Sequence, residues 1–83
     1  MKTFKVQLSS ISDVKEFVNF ASQQSCDIDV VSGRYIIDAK SIMGIFSIDL
    51  SRPINVEVHG NKEQREAFYN IVEKFVVWRD EVD

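Results

Sequence analysis

The sequence predicts an α+β fold, an open-faced β-sandwich. A four-stranded antiparallel sheet has one face in water and the other covered by three helices, in the order β-α-β-β-α-β-α. Three observations carry this. Short segments alternate apolar and polar residues, most clearly TFKVQL and INVEVH, so each strand has one core face and one wet face. Longer segments repeat apolar residues at helical spacing and supply the covering layer. Helical and strand-like segments follow one another in the order just given. The plain βαββαβ arrangement is contained in this order and is its closest competitor.

In TFKVQL, residues 3–8, Phe4, Val6 and Leu8 point one way and Thr3, Lys5 and Gln7 the other. A helix follows over about residues 12–24, with Val14, Phe17, Val18 and Ala21 on one stripe. Either Ser10 with Asp13, or Ser12 alone, caps its start, and Ile11 is placed to staple it. CDIDVVSGRYIIDA reads as a hairpin: Ile28 and Val30 alternate with Asp27 and Asp29, Ser32-Gly33 turns, and Tyr35 to Asp38 return. Ser41 caps a short middle helix, and Arg52-Pro53 stops the chain from continuing as a helix. Ile54, Val56 and Val58 form the inner side of the fourth strand. Asn61 and Gln64 have the spacing of a capping box, opening a last helix with Phe68, Ile71, Val72 and Phe75 on one face and Trp78 near its end. The terminal RDEVD reads as a fraying helix end.

Eighty-three residues make one domain with one modest core. Net charge is −3 and the pI about 5.0, which removes the basic footprint of a nucleic-acid binder. Apolar runs are too short to cross a bilayer, and the N-terminus alternates instead of forming a signal peptide. The lone Cys26 rules out an internal disulfide and fits a reducing cytoplasm. It has no nearby histidine to activate it and reads as a small half-buried residue. No His/Cys cluster suggests a metal, no cofactor loop is present, and a monomer is expected. Asp27, Asp29 and Asp38 read as solvated strand residues. The sole histidine, His59, reads as a solvated strand end.

The segment DAKSIMGIFSIDL, residues 38–50, has more apolar side chains than one face of a two-turn helix can hide. Ile42, Met43 and Phe46 fall near one another, while Ile45 and Ile48 fall toward the opposite side. An inward Ile45/Ile48 pair leaves the other three as an exposed apolar patch, and methionine suits a surface that fits several partners. Alternatively the whole segment is core and Ser41 only a cap.

The element order, with a middle helix opening on Lys40-Ser41-Ile42-Met43-Gly44 and continuing Ile45-Phe46-Ser47, resembles HPr, the histidine-containing phosphocarrier family of the bacterial sugar phosphotransferase system. Close identity is confined to about these eight residues, and the likeness of order covers most of the chain. The resemblance implies an HPr-like fold and a site at the first helix. There the family has Gly-hydrophobic-His-Ala-Arg-Pro, whose histidine accepts phosphate by way of enzyme I. Counting back without gaps from Ser41 puts Ser10 at the histidine, Ser12 at the arginine and Asp13 at the proline. A serine phosphate is a poor onward donor, no guanidinium clamps the anion, and Asp13 repels it.

The resemblance also implies that Ser41 is the position phosphorylated by an ATP-dependent kinase in many Gram-positive relatives. It further implies that Lys40, Ile42, Met43 and Phe46 form the partner-binding patch, with enzyme I, HPr kinase or a transcriptional regulator as partners. The chemistry is compatible, since a phosphate on Ser41 would meet free backbone N–H groups and the charge of Lys40. The expected function is therefore a bacterial regulatory or interaction module without a phosphohistidine, and not an enzyme. The alternatives are a phosphocarrier using Ser10 or Asp13 as acceptor, or a small binding domain unrelated to sugar transport.

Overall fold

The computed structural model describes residues 3–80. Its elements are β1 (Thr3–Val6), α1 (Ile11–Ser22), β2 (Asp27–Ser32), β3 (Tyr35–Asp38), α2 (Ile42–Phe46), β4 (Ile54–His59), α3 (Lys62–Val72), a 3₁₀ turn (Glu73–Phe75) and β5 (Val76–Arg79). The sheet runs β3-β2-β4-β1-β5, antiparallel at every pairing. The predicted order and one-sided sheet are present, with one strand more than expected.

The register explains the two faces. Ile37, Val30, Val56 and Phe4 are opposite one another across β3, β2, β4 and β1. Val6 opposes Ile54 and Val76, and Ile28 opposes Val58. These rows meet Val14, Phe17, Val18 and Ala21 of α1 and Phe68 and Val72 of α3 in one apolar cluster. The alternate rows, such as Asp38-Asp29-Glu57-Thr3, face away from the helices because side chains alternate along each strand. Phe68 is edge-on to Phe17 at 5.8 Å and tilted to Phe4 at 6.5 Å, while Tyr69 meets Phe4 edge-on at 5.3 Å.

Three expectations about the last segment change. Residues 76–79 are a strand, not the end of a helix. The α3 stripe ends at Phe75, and the following β-branched Val76 and Val77 and aromatic Trp78 suit a pleated surface better than another turn. The open edge of β1 then pairs with them: Phe4 with Arg79, Lys5 with Trp78, Val6 with Val76. Val77 is the extra residue at the register shift between Lys5 and Val6. Trp78 is exposed under the Lys5 ammonium, 5.4 Å from the ring centre. Of RDEVD, Arg79 belongs to β5, Asp80 backs Thr3, and residues 81–83 lie outside the described residues. Ile71 is 41% exposed, because the α3 stripe turns toward Tyr69 instead.

The helix starts follow local chemistry. Asn61 and Gln64 form the predicted reciprocal capping box. Ser10 caps α1, so the Ser10/Asp13 alternative holds and Ser12 is simply an exposed first-turn residue. Ile11 is 63% exposed and staples nothing. Lys74 of the 3₁₀ turn pairs with Glu16 of α1, joining the two long helical segments across their outer surface. Phe68→Ala is expected to cost about 3–5 kcal/mol, a large share of a small domain's stability, with the loss read from urea denaturation.

Candidate functional site

The candidate site lies where the loop after β1 and the start of α1 meet the end of α2. At the α1 side, Ser10 Oγ accepts a hydrogen bond from Asp13 N at 3.0 Å, and Asp13 Oδ2 accepts one from Ser9 N at 3.0 Å. Both groups are thus committed to closing the helix start. The Asp13 carboxylate also sits in the first turn, where the helix dipole favours negative charge.

At the α2 side, Ser41 Oγ accepts from Gly44 N at 3.2 Å, and Ser47 Oγ donates to Gly44 O at 2.6 Å. The helix is one short turn bounded by two serines. Ile45 is fully buried, which anchors that turn to the core. A Cβ on Gly44 would come within 2.6 Å of Ile37 Cγ2 and 3.0 Å of Ser41 Oγ, so glycine lets α2 lie directly against β3. Gln7 Nε2 donates to Leu50 O at 2.9 Å, tying the loop after β1 to the segment after α2.

Between these two sides runs a groove lined by Ser10, Ile11 and Val14 on one wall and Phe46 and Leu50 on the other. Met43 is 76% exposed and Phe46 40% exposed, one turn apart on α2. Ile42 departs from the expectation: it is half-buried and packs on the core, because a helix this short leans toward Ile45. Ile48 is half-buried against the core, as its spacing requires. Lys40 is also placed differently from expectation. Its ammonium donates to Gln24 O at 3.0 Å, near the end of α1, so its charge is tethered there. Sequence reasoning missed Ile11 as a surface residue. Its only signal was an apolar residue directly after a capping serine, which reads as a staple until the chain path is known.

The predicted site residues are therefore brought together in part: Ser10 and Phe46 share the groove, and Ser41 and Met43 are on the same short helix beside it. His59 is elsewhere, on the open sheet face, with Nε2 2.8 Å from Asp29 Oδ2. Among the described residues no group of three or more His, Cys, Asp or Glu side chains is placed to hold a metal. No helix among them is long and apolar enough to cross a membrane.

The family model described as the PTS HPr component phosphorylation site matches residues 13–77, most of the chain. The chain belongs to the HPr family. Among solved structures, this HPr-family chain is similar to HPr-C-His from Thermoanaerobacter tengcongensis, at 26% identity and a TM-score of 0.70, over 89% of this chain and 93% of that one. No curated protein sequence matches it significantly. HPr proteins are phosphocarriers of the phosphotransferase system, which work through protein partners and are not themselves enzymes. The matched span begins at Asp13 and includes α2, whereas Ser10 precedes it.

Two substitutions probe the two sides of the site. Gly44→Ala is expected to lower stability by about 1–3 kcal/mol, because Ile37 must move to admit the methyl group. Ser10→Ala is expected to cost about 1 kcal/mol through the lost cap. Chemical denaturation of each variant beside the parent chain measures both.

Proposed function

We propose that this HPr-family protein acts in the bacterial cytoplasm as a regulatory or interaction module that docks through α2 and the adjoining groove. In this reading it lacks the phosphohistidine, and phosphorylation of Ser41 gates its docking. The observation that carries the proposal is the exposed apolar strip on α2. Met43 and Phe46 stand exposed on α2, and Phe46 shares the groove with Ile11 and with Ser10, which the resemblance puts at the family's histidine position.

Ser41 is exposed at the head of the strip. Its hydroxyl oxygen already accepts from Gly44 N, so a phosphoryl group on that oxygen can keep the same N–H as donor while adding a dianion beside the patch. An acidic partner is then repelled, and an arginine-bearing partner gains a bidentate ligand. Lys40, tied to Gln24, contributes position more than free charge. The partner classes this favours are those of the family: enzyme I, HPr kinase or a transcriptional regulator. The carrier alternative finds no guanidinium among the described residues lining the groove to hold a phosphate on Ser10 or Asp13.

Incubation with ATP and HPr kinase is expected to add one phosphate to the intact mass, absent in Ser41→Ala. Incubation with phosphoenolpyruvate and enzyme I is expected to add none. Phosphoenolpyruvate-dependent labelling abolished by Ser10→Ala or Asp13→Asn would establish the carrier instead. Phe46→Asp should retain cooperative unfolding and lose partner binding; unfolding of that variant would place Phe46 in the core and remove the patch.

A further inference from the structure

A second groove lies between the tip of the β2–β3 hairpin and the segment joining α2 to β4. It shares no lining residue with the docking groove. Arg34 and Tyr35 come from the hairpin, and Ser47, Ile48, Arg52 and Pro53 from the opposite wall. The hairpin turns at Gly33 with φ +59°, a conformation that L side chains rarely adopt, so the next two residues are set at the groove's rim by the turn itself.

The arginines are what make this groove unusual. Arg65 donates to Gly60 O at 2.9 Å and Arg79 sits over the Tyr69 ring at 5.5 Å. Arg34 and Arg52 have no hydrogen bond or ion pair among the described residues, and both line this one groove. A chain of net charge −3 thus places two guanidinium groups with open donors on facing walls. The acidic residue of the same rim, Asp49, is already engaged: its Oδ1 accepts from Ser51 N at 2.9 Å and Ser51 Oγ at 2.6 Å. Those bonds, with a smaller contribution from Arg52, hold its carboxyl below the usual range. One positive charge remains in excess. Tyr35 is 63% exposed and has no aromatic partner among the described residues, and Ile48 and Pro53 give the groove an apolar side.

We infer that this groove binds a mononucleotide, its phosphate held between Arg34 and Arg52 and its base laid on Tyr35. Guanidinium forks match phosphate oxygens bidentately, and an exposed aromatic ring with apolar neighbours takes the flat face of a base. A groove with a few placed polar groups and an apolar side is the usual form of a small-molecule site. The overall negative charge disfavours a nucleic-acid strand, whose many phosphates need a broader basic surface.

The test is an amide ¹H–¹⁵N titration of the full chain with AMP, and separately with inorganic phosphate and with adenosine. AMP is expected to saturate with shifts concentrated at residues 32–35 and 47–52, in roughly the millimolar range for so open a groove. Phosphate and adenosine alone should each bind at least about tenfold more weakly. Arg34→Gln and Arg52→Gln should each weaken AMP about tenfold, the value of one charge-assisted hydrogen bond. Tyr35→Ala should weaken AMP while leaving the phosphate titration unchanged. All three side chains are exposed, so unshifted resonances elsewhere verify the fold of each variant. Absence of saturating shifts in these segments, AMP binding unaltered in the arginine variants, or equal affinity for phosphate and AMP would each overturn the assignment.

Discussion

The row Ile37-Val30-Val56-Phe4 crosses four strands at matched positions, and its register decides which face of the sheet is dry. A slip of one residue in β4 would send Ile54, Val56 and Val58 into water and bring Asn55, Glu57 and His59 under the helices. β4 pairs on both sides, so its error would propagate to β1 and β2 together. Phe4 of this row meets Phe68 of α3 at 6.5 Å and Tyr69 at 5.3 Å, contacts that β1 makes only with this face turned to the helices. α2 depends on the same row, because Ile37 is the residue against which Gly44 lies.

Most of this architecture was legible in alternation and helical spacing, because burial on one face imposes those periods directly on the sequence. The inner residues of β1, β2 and β4, the stripe of α1 and the caps at Ser41 and Asn61 all follow from patterns a few residues long. β5 was not legible. Its four residues continue an apolar stretch that helical spacing also accommodates, and what makes them a strand is β1, 70 or more positions earlier in the chain. Ile71 and Ile11 were misplaced for a related reason. An apolar residue at the margin of a stripe can turn inward or outward, and the neighbouring element decides.

The site was legible in its residues but not in its assembly. Lys40 to Ser47 could be picked out by their likeness to the family, and Ser41 stands at the N-cap of α2. The joining of Phe46 with Ser10 and Ile11 in one groove depends on Gln7 reaching Leu50, a contact between loops that leaves no periodic trace. Lys40 shows the converse error. Adjacent in sequence to Ser41, it spends its charge on the far end of α1. Neighbourhood along the chain is a poor guide to electrostatic neighbourhood wherever a long side chain has a carbonyl within reach.

β5 also changes how the molecule meets copies of itself. With β5 in place, β1 is an interior strand, and the sheet's outer edges fall to the four-residue strands β3 and β5. The extra residue Val77 interrupts the ladder on the β5 side, and such a bulge twists an edge away from flat pairing. A strand that would otherwise offer an apolar-rich template to other chains is capped by its own polypeptide. The protection comes from backbone pairing in cis, so it is present at any concentration. β1 should accordingly behave as one of the last segments to exchange its amide protons, and strand exchange between molecules must first peel β5 away.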